Sequence, residues 1–171
     1  MNPYMQDIDI EALDVIFEKI NPSYVLEWGT GGSTIYFPKK HPEIQTWESI
    51  ENNKEWFDNI KNAGTKDSVK LVYRTKTFCT GYAITSSVKK ADFILIDGQF
   101  RKECMELCAR ECKKDAIVAL HDSGRLAYHK WFSLFPFAKR ITNGRVPDGM
   151  GGYKRDGLTV FSKTSIPWSE K

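Results

Sequence analysis

Residues 25–37 read VLEWGTGGSTIYF. The apolar run that starts at Tyr24 passes Glu27 and Trp28 and enters Gly29, Gly31 and Gly32 without a break, so a strand delivers a carboxylate to a glycine turn. Glycines serve there because a ligand can then lie against bare backbone amides at a helix amino terminus, where a side chain would obstruct it. The turn matches no nucleotide-phosphate loop. GxxxxGK followed by Ser or Thr is absent, and the dinucleotide pattern GxGxxG fails because its last glycine falls at Thr34. Glu27 lies beside the positive end of the following helix, where a carboxylate also suits the ammonium group of an amino-acid-like ligand. A tight strand-to-helix turn without a ligand is the plain alternative.

On both sides of this stretch, short apolar runs alternate with helical ones, the pattern of an α/β fold. Ile10, Leu13, Phe17 and Ile20 recur at helical spacing, which predicts a helix over Ile8–Ile20 ended by Asn21 and Pro22. Further strands are expected at Ile44–Ile50, Val69–Tyr73, Phe93–Ile96, Ala116–Leu120 and Leu158–Ser162. Helices are expected over about Asn53–Asn62, Tyr82–Val88 and Arg101–Lys113. The unbroken apolarity of Phe93–Ile96 and Ala116–Leu120 marks central parallel strands covered on both faces. Trp131–Phe137 is aromatic and expected to pack on the sheet. The glycine-rich stretch Asn143–Gly157 is too long for an ordinary hairpin connection, and is either a lid that shapes a pocket or an inert loop. Cys104, Cys108 and Cys112 recur every fourth residue and share one helix face. With no CxxC pair or nearby histidine, they are expected in the core rather than on a metal.

In an open α/β sheet, ligands bind beyond the carboxyl ends of the strands. The residues expected there are the glycine turn with Glu27 and Thr30, then Glu51, Asp97-Gly98, and His121-Asp122-Ser123. Glu51 lies 22 positions beyond Gly29, near the ~20-residue offset at which such folds place an acid on ribose hydroxyls. Glu48 is its rival. Glu51 is preferred because the strand needs Ile44–Ile50 for its length, leaving Asn52 or Asn53 to cap the next helix.

VLEWGTGGSTIYF, TWESIENNKEWFDNIK, ADFILIDGQFRKECMELC and IVALHDSGRLAYH, in that order, resemble the successive motifs of class I S-adenosylmethionine-dependent methyltransferases. More narrowly they look like the small O-methyltransferase-like branch, across Tyr24 to His129. The resemblance implies a Rossmann-like sandwich around a mostly parallel central sheet of about seven strands, with residues 1–171 forming a single methyltransferase domain. It implies S-adenosyl-L-methionine as cofactor. Glu27, Gly29 and Gly31 would line its methionine part, Thr30 would join them in binding the cofactor, Ser33 or Thr34 would hydrogen-bond it, Glu51 would bind its ribose, and Asp97 would stand near the methyl donor. Two departures stand out. The acid often found near the adenine is missing from Arg74-Thr75-Lys76-Thr77, and Lys113-Lys114-Asp115 replaces the glycines usual before the fifth strand.

The implied reaction is an in-line displacement, driven mostly by holding two reactants aligned, with a base removing the acceptor's proton. Asp97, His121 and Asp122 are the available bases; His121, with an ordinary pKa near 6.5, is suited to work near neutrality, or else is a structural hydrogen-bonding residue. Asp97 and Asp122 alternatively supply hard oxygen ligands for a divalent cation, although metal-dependent relatives such as catechol O-methyltransferases carry Asp-Asn where this chain has Asp122-Ser123. The plain alternative has Asp122 orienting His121 or capping a helix. Arg101 and Arg125 are placed to bind an acidic acceptor or simply to be solvated.

Composition bounds the rest. The chain's 171 residues, 41% hydrophobic and 13% aromatic, suit one compact domain, and no apolar run approaches the ~20 residues of a membrane span. Twenty-five basic against 22 acidic residues give +3, too little to indicate nucleic acid. The acidic start MNPYMQDIDI lacks the character of an export signal, which makes the cytoplasm the expected compartment. The leading expectation is O-methylation of a small molecule or glycan. Its acceptor would be met by strand-end loops, by the glycine-rich stretch, or by a second subunit in an oligomer. A nicotinamide-dinucleotide-binding Rossmann protein, and a nucleic-acid methyltransferase or binding module using Lys139, Arg140, Arg145, Lys154 and Arg155, are the alternatives.

Overall fold

A computed structural model describes residues 1–75, 79–143, 145–147, 153–155 and 157–167. In chain order the elements are α1 (Asp7–Ile20), β1 (Tyr24–Trp28), α2 (Gly32–Lys40), β2 (Thr46–Glu51), α3 (Lys54–Ala63), β3 (Val69–Tyr73), α4 (Cys79–Ala83), β4 (Phe93–Ile96), α5 (Arg101–Glu111), β5 (Ile117–Leu120), α6 (Leu126–His129), β6 (Phe137–Arg140), β7 (Arg145–Pro147), β8 (Tyr153–Arg155) and β9 (Thr159–Ser162). Seven strands form one sheet in the order β3-β2-β1-β4-β5-β9-β6, and β7 pairs with β8 in a separate ribbon. β1 to β5 run parallel, while β9 is antiparallel to both its neighbours. The parallel order reverses at β1 and β4, so the carboxyl ends of these two strands open a crevice.

Alternation along the strands builds two cores. Val25, Phe93, Leu95, Ile117 and Ala119 face α1 and α2 through Leu13, Phe17 and Phe37. Leu26, Trp28, Ile94, Ile96, Val118 and Leu120 face Cys104, Met105 and Cys108 of α5. A central strand apolar on both faces is what two covering helix layers require. Cys104, Cys108 and Cys112 all lie in this second core, and burial raises their thiol pKa values, so they are unreactive packing groups. Among the described residues no helix is long and apolar enough to cross a membrane.

Local chemistry accounts for where the elements differ from expectation. β2 begins at Thr46 rather than Ile44, because the N–H groups of Gln45 and Thr46 both donate to Ser23 O. Asn53 caps α3 through an Oδ1 that accepts from Trp56 N at 3.1 Å. The helix expected over Tyr82–Val88 is broken: α4 ends at Ala83, and Thr85 Oγ1 accepts from Ser87 N at the head of a separate 3-10 turn, Ser86–Lys89. Only part of the Trp131–Phe137 run packs on the sheet. Phe132 and Phe135 meet Phe161 at ring separations of 5.0 and 5.4 Å, whereas Leu134 and Phe137 are exposed. β6 itself is an edge strand without the alternation that would reveal it, since Phe137 and Ala138 are both exposed. Residues 144, 148–152 and 156 of the glycine-rich stretch, and the side chains of Arg145, Lys154 and Arg155, lie outside the described residues; Arg140 Nε donates to Thr142 O at 3.2 Å.

Candidate active site

The carboxyl ends of β1, β2, β4 and β5 converge on one cavity of about 780 Å³, within the usual range for a small-molecule site. Gly29, Thr30, Gly31, Ser33, Glu51, Asp97, His121 and Asp122 line it, together with Tyr4, Asn53, Trp56, Gln99, Phe100, Arg101, Arg125 and Tyr128. Most of the residues predicted from the sequence are therefore brought together. Glu27 and Thr34 are not among the lining residues.

The period of β1 explains Glu27. Two residues beyond Val25, it points into the layer of Phe37 and Trp47, and strand register sets it directly opposite Ser49. It is fully buried beneath the turn. Four neutral donors hold its carboxylate: Ser33 Oγ, Thr34 Oγ1 at 2.6 Å, Ser49 Oγ at 2.7 Å and Trp47 Nε1 at 2.8 Å. Burial pushes its pKa up to about 7, with those hydrogen bonds pulling the other way. Glu27 and Thr34 thus lie behind the cavity wall. They brace the turn, and Thr34 Oγ1 accepts Gly31 N–H at 2.9 Å as well. Ser33 reaches both, lining the cavity while its hydroxyl is directed at Glu27.

The turn stays close to β4. Gly29 has φ +104°, and a Cβ on it would sit 2.5 Å from Gly98 N, so position 29 requires glycine on both counts. At Gly31 a Cβ would meet nothing closer than 3.9 Å, which leaves an open cradle over bare backbone. Trp56 Nε1 donates to Thr30 O and fixes the turn from the α3 side. Glu51 sits on the opposite wall, Oε1 accepting Asn52 N and Asn53 N at 2.7 Å each. Glu48 lies elsewhere, held by Tyr24, Lys70 and Ser87, so of the two acids only Glu51 reaches the cavity.

At the β4 and β5 ends the acids are met by cations. Arg101, the first residue of α5, donates through Nε to Gly98 O at 2.9 Å and through Nη2 to Asp97 O at 2.9 Å and Oδ1 at 3.2 Å. Nη1 donates to His121 O, and Nη2 also lies 3.2 Å from Asp122 Oδ2. His121 Nδ1 is 2.7 Å from Asp97 Oδ1, and its Nε2 is 3.5 Å from Asp9 Oδ2. Burial pulls the imidazole pKa down, but Asp97, Asp9 and Asp122 outweigh it and raise the value to about 10. A pKa raised that far favours a charged imidazole at neutral pH, and of the two expected roles for His121 it suits the structural hydrogen-bonding one better than the base.

The divalent-cation reading of Asp97 and Asp122 finds no support among the described residues. Arg101 already bridges the two carboxylates, and among the described residues no three His, Cys, Asp or Glu side chains converge as a metal site. Arg101, expected as an acceptor ligand or a solvated residue, is instead 9% exposed and spent on these internal bonds. Asp9 was not foreseen at all. It is fully buried on α1, hydrogen-bonded by Thr142 Oγ1, and the available signal was an acid at the i−4 and i−8 positions of the apolar pair Leu13 and Phe17.

No family model and no curated protein sequence matches this chain. Solved structures do match. A precorrin-6y C5,15-methyltransferase from Geobacter metallireducens superimposes with a TM-score of 0.65 and 13% identity, over 95% of this chain and 93% of its own. The O-methyltransferase TomG from Streptomyces achromogenes, solved in complex with SAM, covers 91% of this chain and 79% of its own at a TM-score of 0.60 and 14% identity. A methyltransferase-like protein from Silicibacter pomeroyi covers 97% and 91% at 0.59 and 15%. At such identities the likeness is one of fold, and the fold is the one these methyltransferases have.

Proposed function

We propose that this chain binds S-adenosyl-L-methionine and transfers its methyl group to a hydroxyl of a small molecule or glycan. The observation that carries this is the joint exposure, in one cavity of a methyltransferase-type sheet, of the glycine turn, Glu51 and Asp97. The open backbone at Gly31 fits a ligand lying flat on the turn, and Glu51, at the β2 end, is suited to accept hydrogen bonds from ribose hydroxyls. When bound, the cofactor supplies an electrophilic methyl group on a sulfonium.

The chain's own part is alignment, with the donor along the β1–β4 side and the acceptor between Asp122, Arg125 and Tyr128. His121 already carries its proton, so Asp122 is our candidate to receive the acceptor's proton. Asp97, held by Arg101 and His121, orients the donor end.

Calorimetry tests the proposal. S-adenosylmethionine and S-adenosylhomocysteine are expected to bind, and Glu51→Ala to weaken both at least ~10-fold, since a hydrogen bond to a charged group is worth about 1.5–3 kcal/mol. Failure of both ligands to bind the wild type, or NADH binding in their place, refutes the cofactor. Unchanged affinity in Glu51→Ala refutes the ribose assignment.

A further inference from the structure

The crevice between the β4 and β5 ends holds two carboxylates facing each other, an arrangement that calls for a cation. The chain supplies one itself. Arg101 Nη2 lies 3.2 Å from both Asp97 Oδ1 and Asp122 Oδ2 and donates to Asp97 O as well, while Nη1 and Nε donate to the backbone oxygens of His121 and Gly98. All five contacts join the end of β4 to the end of β5. A planar guanidinium spreads its N–H groups over three nitrogens in fixed directions and so spans such a set; the single nitrogen of an ammonium cannot.

The backbone is bent to make this contact. Among the described residues only Asn21, Phe100 and Asp122 are non-glycines with positive φ. Asn21 caps α1, a common place for the left-handed conformation. Phe100 (φ +51°) and Asp122 (φ +57°) are the residues immediately before Arg101 and immediately after His121. Left-handed backbone costs a residue such as Phe of order 1 kcal/mol or more and persists only where its surroundings enforce it. Here it turns the first residue of α5 back toward the sheet and aims Asp122 at it.

We propose that Arg101 is a built-in cation: a positioning residue that occupies the place between the strand-end carboxylates where a divalent metal would otherwise sit, making this site metal-independent. The inference rests on the methyl-transfer reading for what the site does, but not for the clamp itself. A second cation beside Arg101 would have to displace the guanidinium from both acids and leave it largely buried without its partners, where an unpaired charge is strongly disfavoured.

Mn²⁺ titration of the full chain followed by electron paramagnetic resonance, with calorimetry of S-adenosylmethionine in parallel, tests it. The wild type is expected to leave the free-Mn²⁺ signal undiminished and to keep its cofactor affinity in chelator. Arg101→Ala is expected to lose about tenfold in that affinity, to regain it with added ethylguanidinium and not with Mg²⁺, and to acquire Mn²⁺ binding through the freed acids. Rescue by a guanidinium separates positioning from general damage to the fold. Should Arg101→Ala fail to fold, Arg101→Lys gives the second variant, expected to weaken the cofactor without recovery in Mg²⁺. Stoichiometric Mn²⁺ binding by the wild type, loss of affinity in chelator, or full affinity in Arg101→Ala or Arg101→Lys overturns the proposal. A wild type that binds neither the cofactor nor Mn²⁺ sinks the methyl-transfer reading while leaving the clamp standing.

Discussion

The acid at the end of β1 and those at the ends of β4 and β5 are compensated in opposite ways. Glu27 at the end of β1 is surrounded by three hydroxyls and an indole N–H, all neutral. Asp97 and Asp122 at the ends of β4 and β5 meet Arg101, His121 and Arg125, all cationic. Neutral donors hold a buried carboxylate in place without matching what water gave it, so the Glu27 pKa is pushed up to about 7. Charged partners reinforce one another, so the opposing carboxylates keep His121 protonated to about pH 10 despite its burial. The first arrangement makes a floor for the glycine turn. The second makes a wall that presents fixed charges to the cavity.

The largest expected effect comes from removing the floor. Glu27→Ala leaves the Ser33, Thr34, Ser49 and Trp47 donors without their acceptor, and should cost roughly 3 kcal/mol or more by urea denaturation, at about 1–3 kcal/mol for each group that finds no new partner. A loss under about 1 kcal/mol would mean the hydroxyls simply re-pair, and the contrast between floor and wall would fail.

Next comes the pH signature, in which both groups have raised folded-state pKa values. The folded state then binds more protons than the unfolded one, so stability falls as pH rises. Glu27 contributes a decline from its ordinary 4.5 to about 7, and His121 a second one from 6.5 to about 10. Melting temperatures of His121→Gln should lack the alkaline decline and keep the acidic one, while Glu27→Gln should do the reverse. An alkaline decline unaltered in His121→Gln would remove the imidazolium from the wall.

The smallest effect sharpens the floor alone. Ser49→Ala removes one donor of four and should cost about 1 kcal/mol, the usual worth of a single neutral hydrogen bond. Because that bond lowers the Glu27 pKa, its loss should also move the carboxyl titration upward, which carbon NMR of the labelled side chain would register.

Much of the site is legible in residue order. The run from Tyr24 into Gly29 marks β1 and its turn, and the unbroken FILI and IVAL runs mark β4 and β5. Their following residues had to meet at one sheet edge once the strands were parallel. Even the exclusion of Glu27 from the cavity was within reach, since period two sets it on the face of Val25, opposite Ser49. Arg101 was less legible. A residue at a helix start is ordinarily solvated, and only the left-handed turn at Phe100 sends it inward. The edge strand β6 left no pattern because one flank has no partner to demand one.

The sequence by itself determined which strands are buried on both faces, where the glycine turn stands, and which polar residues collect at the carboxyl edge, because those properties follow from local periodicity and backbone sterics. Only the tertiary structure decided what those residues are. The His121 pKa is raised to about 10 because Asp97, and with it Asp9, 112 positions away in the chain, are packed beside the imidazole. Asp97 and Asp122 both meet Arg101 because α5 folds back over β4. Charge state and coordination depend on distance and burial, and those are set by long-range packing that no short stretch of sequence contains.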